Sequence, residues 1–110
     1  MNPVKKQKGY ASLSTVHRER LQAMLSKLSQ LPGTEASLSA AEVCFYELLT
    51  LMKEYTDAEG SNAYLAELEA IRHAEHEKCR DRFVSINIRN NAVRLFKNKL
   101  QHIIAGWLEA

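Results

Sequence analysis

Apolar positions recur along this chain at steps of three and four residues rather than two, a spacing that predicts helices. Leu21, Met24, Leu25, Leu28 and Leu31 share one face and predict a first helix from about Ser14 to Leu31. Pro32 and Gly33 stop it, because proline cannot continue the hydrogen-bond ladder and glycine accepts a left-handed exit. Ser39-Ala40-Ala41-Glu42 has the form of a capping box, in which the serine caps a free backbone N–H and the glutamate reaches back. A second helix is expected to follow from about Ala40 to Tyr55. Val43, Phe45, Tyr46, Leu48, Leu49, Leu51 and Met52 occupy most of its circumference, which predicts the central, most buried helix. Residues 56–62, with Asp57, Gly60, Ser61 and Asn62, read as a turn.

Between Gly60 and Gly106 there is no glycine or proline, so the chain permits a very long helix from about residue 62. Cys79, Phe83, Ile86, Asn90, Val93, Lys97 with neighbouring Phe96, Leu100, Ile104 and Trp107 follow the alternating steps of a heptad seam. The preferred alternative breaks the helix within residues 85–91, where β-branched residues and three asparagines lower propensity and Asn90 or Asn91 caps a fourth helix. The expected fold is therefore all-α. It is a small bundle of about four helices near 14–31, 40–55, 62–85 and 91–108, the last two either separate or merged into one. Leu25, Leu28, Phe45, Leu48, Leu49, Leu68, Phe96, Leu100 and Ile104 are the expected core. Residues 13–110 form one helical domain in this reading, preceded by a flexible basic arm over residues 1–12 that contains Lys5, Lys6 and Lys8.

Charge changes the picture more than composition does. Hydrophobic content is 45% and charged content 25%, which is ordinary for a globular domain. Residues 1–34 carry six Lys or Arg against one acid, residues 35–81 eleven acids against four bases, and residues 82–110 five bases against one acid. A net charge of +2 conceals that segregation, which predicts oriented docking between complementary surfaces. Two cysteines in unlike surroundings, Cys44 in an apolar run and Cys79 between Lys78 and Arg80, suggest a buried residue and a surface thiol. A reducing, cytoplasmic setting is expected. No apolar run reaches the length of a signal peptide's core or a membrane span, so no membrane is expected as a partner.

Candidate chemistry is sparse. His73, His76, Glu69, Glu77 and Cys79 cluster on the third helix, yet His73-Ala74-Glu75-His76 is one residue short of the His-Glu-x-x-His zinc spacing. One helix turn supplies at most two well-placed ligands, and His17 and His102 have no acid or thiol three or four residues away, so no metal site is expected. Cys79 has neighbouring cations and His76 one turn away, but no glycine-rich loop is present to build an oxyanion site. No catalytic residue and no cofactor are expected, and an enzyme is not the reading the sequence favours.

Two binding readings remain. Protein association is favoured, with a protein partner and self-association as a homodimer: an extended seam cannot be covered by one short helix of the same chain. Phe83, Asn90 and Trp107 are its candidate contacts, Asn90 setting register and Trp107 serving as anchor unless it is a core residue. The alternative is nucleic acid, bound by the lysine arm (Lys5, Lys6, Lys8) and by Arg89, Arg94, Lys97, Asn98 and Gln101 of a basic final helix.

Overall fold

The structure, a computed structural model, describes residues 13–55 and 63–109, and among these there are helices and no strand. The basic arm and the turn expected over 56–62 lie outside the described residues. Helix α1 spans Thr15–Gln30 and begins where the sequence places it: Ser14 is extended and its Oγ accepts the His17 N–H at 3.1 Å. It closes at Leu31, whose N–H reaches Leu28 O at 3.2 Å, one residue before Pro32. Gly33 is favoured by close approach rather than by backbone freedom. A β-carbon there would stand 3.0 Å from Arg94 Cβ, where the last helix crosses the turn.

A single 3-10 turn, Glu35–Ser37, leads directly into α2, Leu38–Lys53. The expected capping box does not form. Ser37 occupies the cap position without a side-chain bond, and Ser39 and Glu42 both lie inside the helix. The 3-10 turn explains this, since it delivers the chain to Leu38 already in helical geometry and removes the extended cap residue a box needs. Ala41, Cys44, Phe45, Leu48, Leu51 and Met52 are buried, whereas Val43 and Tyr46 are exposed, so α2 is not covered all round.

The third helix is a composite of α3 (Ala63–Ile71), a π turn over Arg72–His76, and α4 (Glu77–Arg80). It ends five residues before the expected position, and the break lies at 81–85 rather than within 85–91. Ser85 starts the final helix α5, Ile86–Glu109: its Oγ accepts the Ile88 N–H at 3.2 Å and its carbonyl the Arg89 N–H at 3.0 Å. A serine cap outcompetes the asparagines, which fall within the helix. Asn90 is occupied otherwise, its Oδ1 accepting the Glu35 N–H at 2.7 Å.

Helix α5 packs against α1, α2, α3, the π turn and α4, and is the element around which the others assemble. Its Val93, Phe96, Leu100, Ile103, Ile104 and Trp107 enter one core with Leu21, Met24 and Leu28 of α1, the α2 face above, and Leu68 and Ile71 of α3. The continuous seam is thereby interrupted: Phe83 and Ile86 are exposed, while Cys79 before them and Val93, Phe96, Leu100, Ile104 and Trp107 after them are buried within the chain itself. Of the expected core, Leu25 and Leu49 are half-buried and pack on its edge. Leu48→Ala is expected to lower stability by about 2–5 kcal/mol in urea unfolding, and Leu49→Ala by clearly less, because the cavity term scales with the volume left enclosed.

Candidate partner-binding corner

The site grows out of the π turn. Glu75 and His76, its last two residues, both lie against the core, at 8% and 4% exposure. The His76 ring stacks on Phe96 (4.9 Å, 12°) and lies 5.5 Å from Phe45. Its Nε2 donates to Glu42 Oε2 at 2.6 Å, a charge-assisted length that ties the third helix to α2. Glu75 Oε2 accepts from Lys99 Nζ at 3.0 Å, joining the same turn to α5, while Glu75 Oε1 is buried without a hydrogen bond.

The stripe of metal-ligating residue types noted in the sequence is dispersed by this packing. Glu69 pairs with Arg72 at 3.3 Å, His73 and Glu77 are exposed, and His76 is held by Glu42. Among the described residues no group of three or more His, Cys, Asp or Glu side chains is placed to hold a metal ion. Cys79 is not a surface thiol: the register set by the π turn directs it inward, at 2% exposure. Burial, reinforced by nearby Glu42 and Glu75, pushes its thiol from the usual 9.0 up to about 11, and burial raises Cys44 as well. Both are free, neutral thiols.

Beyond Arg80 the chain reverses in five residues fixed from both sides. Asp81 Oδ1 accepts the Phe83 N–H at 2.8 Å, and Ser85 caps α5. Phe83 projects between these two bonds with its surface 100% exposed, accompanied by Ile86 at 45% and Ile88 at 50%. Two clefts flank the reversal and share Arg80. One, of about 510 Å³, is lined by Glu35, Leu38, Cys79, Arg80, Arg82 and Arg89. The other, of about 290 Å³, is lined by Tyr46, Arg72, His76, Glu77, Arg80 and Asp81.

The residues singled out in the sequence divide among these surroundings. Phe83 is at the centre of the exposed corner, but Asn90 bonds the 3-10 turn, and Trp107 is 2% exposed, stacked on Tyr64 at 6.1 Å and edge-on to Tyr55 at 5.5 Å. Trp107 is therefore a core residue and not a self-association anchor. Arg89 is turned to Glu35, with its Nε 2.9 Å from Oε2, and Arg94 bonds Asn91 beside Gly33. Lys97 and Gln101 are half-buried on α5 and Asn98 is exposed, whereas Lys5, Lys6 and Lys8 lie outside the described residues. Sequence reasoning missed the Glu42–His76 pair, whose partners are 34 positions apart, and the convergence of Arg80 and Arg82 on one cleft. No protein-family model matches the chain, and neither a curated protein nor a solved structure is similar enough to it to count as a match.

Removing the acceptor from a buried imidazole should be costly, so Glu42→Ala is expected to destabilise by about 1–3 kcal/mol. The double replacement Glu42→Leu with His76→Phe should recover most of that in urea unfolding, since an apolar pair of similar volume carries no desolvation cost. The thiols set a second expectation. With the Cys79 pKa raised in the folded protein, the stability it contributes is fully present below pH 9.0 and is lost as pH rises through about 11. Thermal unfolding across that range should show an alkaline decline that Cys79→Ala reduces.

Proposed function

We propose that this protein is a non-catalytic helical module that acts by binding another protein, with the corner at residues 81–88 as its docking element. The exposure of Phe83 carries this reading. A phenylalanine held wholly in water forgoes about 1.5–3 kcal/mol that burial would return. Here local hydrogen bonds present it outward, and exposed Ile86 and Ile88 follow it in the chain while Arg80 and Arg82 flank it in sequence. An aromatic anchor with an apolar surround and a charged rim is the usual anatomy of a binding hot spot. Self-association through this corner is the homodimeric form of the same reading. Among the described residues no helix is long and apolar enough to cross a membrane. The free, buried thiols support a reducing, cytoplasmic setting.

Nucleic acid binding ranks second on a specific ground. Glu35 and Glu75 engage Arg89 and Lys99, which leaves Arg94 and Lys97 as the cations of α5 without a carboxylate. That is a thin phosphate-binding face.

A photoreactive benzoylphenylalanine placed at position 83 tests the proposal in the cell that makes the protein. Discrete cross-linked products are expected, identified by mass spectrometry as a particular second protein or as this chain. The same group at exposed Glu19 should give none. Phe83→Ser should abolish the association, read by sedimentation velocity of the purified complex, while changing stability by no more than about 0.5 kcal/mol. Products that are equally abundant from both positions would remove the reading.

A further inference from the structure

The larger cleft holds an imbalance that the fold does not resolve. Seven arginines fall among the described residues, and five of them have partners: Arg18 donates to Leu108 O, Arg94 to Asn91, and Arg20, Arg72 and Arg89 face Glu47, Glu69 and Glu35. The side chains of Arg80 and Arg82 have neither a hydrogen bond nor an ion pair among the described residues, and both residues line the cleft of about 510 Å³ together with Arg89. Glu35 is the one carboxylate lining it, so three guanidinium groups meet a single acid there.

That acid is already committed. Its carboxylate lies 2.9 Å from Arg89 Nε, and its backbone N–H is bound by Asn90, so it cannot swing across to Arg80 or Arg82 without undoing the contact between the 3-10 turn and α5. Arg89 itself is incompletely satisfied: its Nε is buried and the N–H is not aligned on the carboxylate as a hydrogen bond. Placing like charges around one concavity is unfavourable until an anion enters. The positions are also fixed in advance. Arg80 ends α4, Arg82 is one residue beyond Asp81, whose side chain fixes the reversal, and Arg89 is in the first turns of α5.

We propose that this cleft is a binding site for a multiply charged oxyanion, held by Arg80, Arg82 and Arg89. A planar carboxylate and a tetrahedral phosphate both present paired oxygens at the spacing that a guanidinium grips with two N–H donors, so either can satisfy the site. Leu38 and the neutral thiol of Cys79 complete its lining and offer an anion no competing charge. This site does not depend on Phe83, which does not line the cleft.

The test follows the arginine Nε–Hε signals by NMR at constant ionic strength during two titrations, one with inorganic pyrophosphate and one with a hexaglutamate peptide. Saturable shifts confined to Arg80, Arg82 and Arg89 are expected with at least one of them. Pyrophosphate alone identifies a phosphate ligand, hexaglutamate alone a carboxylate ligand, and both together a general oxyanion site. Arg82→Gln and Arg80→Gln, changes at exposed positions, should each weaken binding by about tenfold or more. Phe83→Ser should leave it unchanged, which separates this site from the docking corner. Shifts that do not saturate with either probe, that extend equally to Arg72 and Arg94, or that survive both substitutions would overturn the proposal.

Discussion

Burying His76 between Phe45 and Phe96 requires an acceptor for its ring N–H, and Glu42 of α2 supplies one at 2.6 Å. Much of the molecule depends on that contact. The ring stands at the end of a turn that widens over Arg72–His76, a departure from regular α-helix that single-residue propensity does not favour. The widened turn resets the register downstream, so that Cys79 faces the core and Arg80 lies at the rim of both clefts. Had the helix continued regularly, the reversal at 81–85 would leave the bundle in another direction. The projection of Phe83 is thus linked, through continuous secondary structure, to a hydrogen-bonded imidazole–carboxylate pair at the core.

The segregated charge of the sequence finds its first use inside the chain. Acids from the middle block meet bases from the two ends: Glu47 faces Arg20 at 3.6 Å, Glu54 faces His17 at 3.9 Å, Glu35 faces Arg89 at 2.9 Å and Glu75 faces Lys99 at 3.0 Å. The exposed members of this set contribute at most about 1 kcal/mol each. Their effect is more on specificity than on stability, because a bundle assembled with the wrong helix neighbours would set like charges together. Of the described arginines, Arg18 and Arg94 then have only uncharged hydrogen-bond partners, and Arg80 and Arg82, which line one cleft, have no side-chain partner.

The first helix and most of the core are legible in the sequence because their determinants are local. Ser14 and Pro32 bracket α1, and buried Phe45, Leu48, Phe96, Leu100 and Ile104 all follow helical spacing. The heptad reading through 79–107 fails for an instructive reason: apolar faces of two separate helices can each keep steps of three and four, and a five-residue reversal leaves the steps looking continuous. Phe83 and Ile86 fit the period and yet stand in solvent. The choice of Ser85 over Asn90 as cap rests on Asn90 being drawn to the Glu35 N–H, 55 positions away, and no window of sequence contains that contact. The π turn has no local signature either. Of the candidate site, Phe83 was visible as a residue, but its exposure and the meeting of Arg80, Arg82 and Arg89 come only from how the helices pack.

An exposed phenylalanine ordinarily relaxes toward the nearest apolar surface, so its persistence here needs a physical cause. The core beneath is closed, with Cys79, Ala92 and Val93 each at most 2% exposed, and the neighbouring clefts are lined largely by charged side chains. Turning Phe83 inward would break its N–H bond to Asp81 and strain the Ser85 cap, a loss of about 0.5–1.5 kcal/mol for each bond. The return would be partial burial against arginine stems rather than full burial in a pocket. The two terms are close in size, and the local hydrogen bonds keep the ring outside. A partner that brings its own apolar pocket to the corner changes that balance, because it buries the ring without disturbing either bond.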